Sequence, residues 1–283
     1  MRVQISNPDK VLFPRAGVTK RDLAEHYERV APVMLPHVRE RPLTMHAFPG
    51  GIERGGFIMK SIPRHFPDWV DRARLPKREG TVTHVLANRA DTLVYLAGQN
   101  VIALHVWPAR ADQPRHPDRL ILDFDPSPGA RFADVRAAAR EVGDRLRDAG
   151  LAPFAMASGS RGVHVVAPLR RGPGFTQVHR FARRLAEEMV AGDDRLTLEW
   201  HVAERGKRIY VDVNRNAYAQ HAIAPYAVRD RDSAPVAVPL AWDELSDRRL
   251  RPDRWTVRSI GRLLDERGDP WRGIGRRART LPG

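Results

Sequence analysis

Apolar residues recur along this chain at two spacings, one suited to helices and one to strands. After Thr19-Lys20-Arg21-Asp22, which reads as a capping box, Leu23, Tyr27, Val30 and Met34 fall on one face of a helix. Phe132, Val135, Val142 and Leu146 repeat at helical spacing, and so do Phe175, Val178, Ala182, Leu185 and Met189. Leu120–Asp125, Val163–Ala167 and Ile209–Val213 read as strands, with Thr81–Leu86 and Leu93–Leu96 as further short elements. From Glu40 to Pro76 the chain is rich in Pro and Gly, with apolar pieces such as Gly56–Met59, which predicts strands joined by long loops. The strand–helix–strand–helix–strand order predicts an α/β or α+β fold with one open sheet face. No internal repeat, low-complexity block or Gly/Ser linker divides the chain. The tail, with Arg272, Arg276, Arg277 and Arg279, is expected to be solvated and frayed.

Composition narrows the class of protein. The 283 residues are 42% hydrophobic and 29% charged, the balance of a chain that buries a real core. There are no cysteines, which excludes disulfides, thiolate metal sites and a cysteine nucleophile. Asn7, Pro8 and Asp9 stand where a signal peptide needs an apolar stretch, and no apolar run approaches membrane-spanning length. The expectation is a cytoplasmic protein with no membrane partner. Lys and Arg number 48 against 34 Asp and Glu, a net charge of +14, and only five of the cations are lysine. Such an excess points to a polyanionic partner without naming an activity, and most surface arginines read as coding bias.

The acidic residues are more informative. In Leu120-Ile121-Leu122-Asp123-Phe124-Asp125-Pro126, strand alternation puts Leu120, Leu122 and Phe124 on one face and Ile121, Asp123 and Asp125 on the other. Two carboxylates on one apolar strand repel each other, and a divalent cation is the simplest partner that favours the pair. Pro126 ends the strand, leaving Asp125 at its rim. An isolated Asp-x-Asp is more often a solvated strand end, but a second strand changes the weight. In Arg208-Ile209-Tyr210-Val211-Asp212-Val213, Asp212 lies opposite Ile209, Val211 and Val213. Three aspartates on two strands suit two Mg²⁺ or Mn²⁺ ions, which activate an attacking hydroxyl and stabilise a pyrophosphate leaving group. Asp212 would serve equally as a salt-bridge partner of Arg208 or Arg215.

Ser158-Gly159-Ser160-Arg161-Gly162-Val163-His164 is a glycine-punctuated turn between those acidic strands. It can aim backbone N–H groups and serine hydroxyls at phosphate oxygens, with Arg161 adding a fork of donors, or it is simply a tight hairpin. The Walker spacing is absent. Arg205-Gly206-Lys207 precedes the Asp212 strand, and Ala224-Pro225-Tyr226-Ala227-Val228-Arg229 follows it. His105 beside Trp107 reads as well as a packed core residue, and Lys60 after Phe57-Ile58-Met59 as a solvated strand end.

In this order the motifs resemble the polymerase domain of bacterial ligase D, of the archaeo-eukaryotic primase superfamily used in non-homologous end joining. The resemblance runs from Ile5-Ser6-Asn7-Pro8-Asp9-Lys10 to Asp269-Pro270-Trp271 and takes in Glu40-Arg41-Pro42-Leu43, Leu104-His105-Val106-Trp107, the two acidic strands, the phosphate turn and Ala224-Pro225-Tyr226. It implies an α+β primase-like fold, two mixed or antiparallel sheets flanked by helices, with the active site in the cleft between them. It implies one domain over 1–283, with an N-terminal lobe at about 1–110, a catalytic lobe at about 111–270 and a basic tail at 271–283.

By the same resemblance Asp123, Asp125 and Asp212 are catalytic, metal-binding carboxylates, and Ser158, Arg161, Gly162, His105, Arg205 and Arg229 hold the incoming triphosphate. Lys60 lies near the nucleotide and primer terminus, Asn7, Lys10 and Lys20 take a DNA 5′-phosphate, and Phe57 touches the template. Two positions depart from the family: Arg161 stands where Lys is usual, and the template-facing aromatic pair is reduced to Phe57 and Ile58. No ligase Lys-x-Asp-Gly motif is present.

The expected activity is template-directed nucleotidyl transfer, extending a primer 3′-OH from NTPs or dNTPs at gaps or breaks bearing a 5′-phosphate, with two Mn²⁺ or Mg²⁺ ions. The expected setting is the nucleoid, beside a separate ligase and a Ku-type end-binding protein. The alternatives are an end-binding repair module with little catalysis, against which the three intact aspartates argue, and a primase that starts strands unaided.

Overall fold

Thr19 starts the first helix as predicted: its hydroxyl accepts from the Asp22 backbone N–H, while the Asp22 carboxylate accepts from Thr19 N at 2.7 Å. The computed structural model describes residues 3–283. Its elements in chain order are β1 (Val11–Phe13), β2 (Val18–Thr19), α1 (Lys20–Val38), β3 (Leu43–Ala47), β4 (Phe57–Met59), β5 (Arg72–Pro76), β6 (Thr81–Val85), α2 (Ala90–Gly98) and β7 (Val101–Val106). Then follow β8 (Arg119–Pro126), α3 (Phe132–Asp148), β9 (Phe154–Ala157), β10 (Val163–Pro168), α4 (Phe175–Gly192) and β11 (Leu196–Thr197). Last come β12 (Ile209–Asp212), β13 (Ala222–Ile223), β14 (Val238–Leu240) and α5 (Ile260–Arg267). No helix among the described residues is long and apolar enough to cross a membrane.

The chain divides into two compact units. One holds residues up to Pro114 with His221–Ala237 and Trp255–Asp269; the other holds Arg115–Gln220, Val238–Arg254 and Pro270–Gly283. Neither unit is continuous in sequence, so the lobes expected at about 1–110 and 111–270 exchange segments.

In the first unit, four antiparallel strands in the order β13-β7-β3-β4 present Leu43, Met45, Leu104 and Val106 on one face, all buried. Leu23, Tyr27, Val30 and Met34 of α1 are fully buried, as the periodicity requires, and α1 packs on α2. His26, on the same helix, is also buried, with its Nε2 2.9 Å from the Tyr226 carbonyl.

Burial holds the His26 imidazole down at about 4, against the backbone hydrogen bond to Tyr226 that favours charge. Folding therefore carries this ring neutral, and the unfolded chain protonates it near its ordinary 6.5. The stabilisation is complete above that value and is lost as pH falls from it toward 4, by about 3 kcal/mol. His26→Gln, which keeps a donor for the carbonyl, is expected to flatten that part of the curve. Urea unfolding at pH 7 and pH 4.5 checks this, and identical slopes for wild type and variant would refute it.

In the second unit six strands run β11-β12-β8-β10-β9-β14, all antiparallel except β11 against β12. The three predicted strands are β8, β10 and β12. The unpredicted β9 forms a hairpin with β10 and turns the chain back, so β10 runs antiparallel to β8. This makes the fold α+β. Leu120, Leu122, Phe124, Val163, Val165 and Val211 line one face without measurable exposure, and α3 and α4 pack on these strands. The opposite face carries the aspartates.

The basic tail is ordered and docked, contrary to the expectation of fraying. Trp271 is 1% exposed, donates its indole N–H to the Ala155 carbonyl at 3.0 Å and packs edge-on to Phe154. Arg279 pairs in parallel with Leu169, just beyond β10. One buried indole outweighs the surrounding arginines, whose long side chains reach solvent from a fixed backbone.

Candidate active site

The register of β8 with its two neighbours builds the acidic site. Asp123 lies directly opposite Asp212 of β12 on one side and His164 of β10 on the other, and Asp125 lies opposite Tyr210. Directly opposed residues share a face and stand close enough for their side chains to interact. All three predicted carboxylates thus converge on the face turned away from α3 and α4. Asp123 and Asp212 are nearly buried, at 9% and 7% exposure, while the side chain of Asp125 retains 32% at the rim.

Basic side chains surround this cluster. Arg215 reaches Asp123 at 3.4 Å and Asp212 at 3.3 Å, and His164 Nε2 lies 3.3 Å from Asp123. Arg161 and Arg205 meet at Asp125, at 3.1 and 3.4 Å. Burial raises the Asp212 carboxyl above the usual range; Arg215 opposes the shift and Asp123 adds to it. Burial works against the Arg215 charge, but the two aspartates hold it above its ordinary value. The Tyr210 hydroxyl is pushed up to about 12 by burial and by Asp212, and it accepts from the Asn214 amide at 2.9 Å. Arg208, one suggested partner of Asp212, instead donates to the carbonyls of Glu204 and Arg205.

Arg205 is the most firmly held of the predicted cations. It is 5% exposed, donates to the carbonyls of Glu199 and Trp200 at 2.8 and 2.6 Å, and lies 4.1 Å over the Tyr210 ring. Arg161 is half exposed on the β9–β10 turn. That turn is closed by its own groups: Ser158 Oγ accepts from Ser160 N and Gly162 N at 3.3 and 3.1 Å, and Gly159 N donates to the Pro252 carbonyl. The N–H groups of Gly159, Ser160 and Gly162 therefore bond within the protein and are not aimed outward. Gly162 is also sterically required, because a Cβ there would lie 2.0 Å from the Phe124 carbonyl oxygen.

The remaining candidates belong to the first unit. His105 on β7 lies next to His46 and His221, with ring centroids 4.6 and 5.2 Å away. Burial lowers the His46 imidazole; Asp230 opposes the shift and Arg229 adds to it. Lys60 is exposed just beyond the edge strand β4, and Phe57 on that strand is 53% exposed. Asn7, Lys10 and Lys20 lie together at the chain's start. Lys10 N donates to the Asn7 carbonyl at 3.2 Å, Lys20 N to the Lys10 carbonyl at 2.8 Å, and Lys20 Nζ to the Ser6 carbonyl at 2.9 Å. Burial and the Lys10 charge lower the Lys20 ammonium, so an anion between the two lysines would relieve both.

Sequence reasoning missed His164, Tyr210, His46 and His221 as members of these groups. His164 carried the clearest signal, since it shares strand parity with Val166 on a strand whose other face is apolar. The two histidines of the first unit had none, because only the pairing of β3, β7 and β13 brings them to His105.

Among the described residues no set of three His, Asp or Glu side chains is drawn together as a closed metal cluster. The donor chemistry nevertheless fits a divalent ion: three carboxylates, hard oxygen donors, share one sheet face.

The chain matches the family model described as the LigD primase-polymerase domain over residues 19–271. It is 32% identical over 271 residues to the multifunctional non-homologous end joining protein LigD of Mycolicibacterium smegmatis, covering 95% of this chain and 35% of that protein. It is 35% identical over 259 residues to the multifunctional non-homologous end joining DNA repair protein LigD of Mycobacterium tuberculosis, covering 88% of this chain and 34% of the relative. It therefore spans about a third of the length of these curated relatives. Among solved structures it matches the polymerase domain from Mycobacterium tuberculosis ligase D in complex with DNA, with a TM-score of 0.91 and 31% identity, covering 98% of this chain and 99% of that one. The chain belongs to the LigD primase-polymerase family, and its fold and sequence are those of a polymerase-type nucleotidyltransferase.

Proposed function

We propose that this chain extends primer 3′-hydroxyls at DNA gaps and breaks from nucleoside triphosphates, with Asp123, Asp125 and Asp212 as the catalytic carboxylates. The observation that carries this reading is the register that sets the three side by side on one face, with Arg161 and Arg205 meeting at Asp125. Two Mn²⁺ or Mg²⁺ ions held by these carboxylates would lower the pKa of the attacking hydroxyl and offset charge on the leaving pyrophosphate. The protein's own part is positional. β8 and β12 hold Asp123 and Asp212 by backbone pairing, so neither carboxylate needs to be ordered by substrate. Arg161 lies at the rim, where a triphosphate would find it, and the carbonyls of Glu199 and Trp200 keep Arg205 pointed at Asp125. Ser158 acts through the turn it closes, and Gly162 by permitting close strand approach. His105, Arg229 and Lys60 are assigned to the nucleotide and primer terminus, and Phe57 to the template.

A gapped duplex with a 5′-phosphate, offered with NTPs or dNTPs and Mg²⁺ or Mn²⁺, tests the activity. Binding without extension under every combination would leave the end-binding module as the better reading. The same duplex tests the N-terminal loop. Lys10→Ala is expected to weaken binding to the phosphorylated gap by about tenfold and to the unphosphorylated gap far less, since one charged contact to phosphate is lost. Equal losses on both, measured by anisotropy, would make Lys10 a general backbone contact. A separate ligase and a Ku-type protein are the proposed partners.

A further inference from the structure

The segment between β11 and β12 holds an exposed indole that none of the roles above uses. Trp200 is 65% exposed, the most exposed of the large apolar side chains described, and Val202, two residues on, is 56% exposed. Neither lies on a disorganised loop. Glu199 N donates to Thr197 Oγ1 at 3.0 Å, and His201 N donates to the Glu199 carboxylate at 2.8 Å. Above all, the Trp200 carbonyl accepts from Arg205 at 2.6 Å, and that same guanidinium reaches Asp125 at 3.4 Å and stacks on Tyr210. One buried side chain thus separates the backbone of Trp200 from the carboxylate at the rim of the acidic site.

Leaving an indole in water forgoes the stabilisation that its large apolar surface would bring if covered. Here the exposed ring is carried on a pinned backbone; Arg161, half exposed, meets the same Asp125 that Arg205 reaches, and Lys207 and Arg208 are exposed on the segment that continues from Arg205. An aromatic face set among cations, which follow a phosphate backbone while the ring takes a base, is the pattern by which proteins hold unpaired nucleic acid. The polymerase domain that this chain matches at a TM-score of 0.91 is itself bound to DNA.

We infer that Trp200 is a stacking platform for a nucleobase of the DNA end, placed beside the aspartates by the grip of Arg205 on its carbonyl. The inference rests on the polymerase reading of the acidic site. An indole presents a flat π-face to any base, so the platform orients the strand without selecting its sequence. This differs from the role assigned to Phe57, which belongs to the first unit.

The test uses the full chain without nucleotide or metal, on a gapped duplex carrying 2-aminopurine either at the primer 3′ terminus or at the first unpaired template base. Wild type is expected to quench one of the two labels. Trp200→Ala should abolish that quenching and weaken binding about tenfold, with Trp200→Phe within about threefold of wild type. Trp200→Leu separates stacking from mere apolar contact and is expected to behave like alanine. An exposed side chain leaves the urea midpoint unchanged in all three, which excludes misfolding as the cause. Unchanged affinity and quenching in Trp200→Ala would overturn the inference, as would full rescue by leucine. A wild type that binds this duplex, and extends it once nucleotide and metal are added, beside an unchanged Trp200→Ala sinks this inference alone. A wild type that does not bind the duplex sinks the polymerase reading with it.

Discussion

Asp123→Asn is expected to lower single-turnover primer extension by about 10³-fold or more, while affinity for the gapped duplex stays within about threefold. Asp123 is the middle member of the acidic row, with Asp212 opposite it on one strand, His164 on the other, and Arg215 spanning the two aspartates. Asparagine keeps the shape and one oxygen but removes the charge that any cation at this position must feel. The same change relieves repulsion, since Asp123 is one of the groups that push the Asp212 carboxyl up. It also removes the larger of the two carboxylate attractions that hold Arg215 charged, so the two effects oppose and the urea midpoint should move little near neutral pH, leaving the loss catalytic. Extension within tenfold of wild type would remove Asp123 from the catalytic set.

The largest expected effect on stability lies outside the acidic cluster, at Trp271. Trp271→Ala is expected to cost about 3–5 kcal/mol in urea unfolding, because a buried indole is deleted and the Ala155 carbonyl loses its donor. Trp271→Phe keeps most of the ring and should cost about 1–2 kcal/mol, chiefly the missing hydrogen bond. The arginine-rich residues beyond it are expected to become protease-sensitive in the alanine variant, since their backbone follows the anchor to the pairing of Arg279 with Leu169. A loss below about 1 kcal/mol for alanine would show the tail to be held by something else.

The two predictions mark where sequence was and was not informative. β8, β10, β12, α1, α3 and α4 were legible because each alternates or repeats its apolar residues over several turns or pleats. The aspartates were legible as a group because strand parity placed each one on the polar side. β9 and β14 were not: Ala155, Met156 and Ala157, or Val238, Pro239 and Leu240, are too short and too uniformly apolar to show alternation. Arg215 was visible as a neighbour of Asp212, but its reach to Asp123 depends on which strand lies beside β12. His46 and His221 join His105 through pairing across long sequence separations, which leaves no local trace. Trp271 was hidden by its arginine surroundings, where average charge speaks for solvent and one ring decides otherwise.

The division into units has a consequence for how such a protein can be rebuilt. The chain passes from one unit to the other after Pro114, Gln220, Ala237, Arg254 and Asp269, so each unit is spliced from three stretches. No single cut frees either as a contiguous piece. A fragment ending at Pro114 would lose β13 and leave the edge of β7 bare. Swapping one half between relatives would require several coordinated joins. Recombination at one internal crossover therefore always divides a unit, because no single junction leaves both whole.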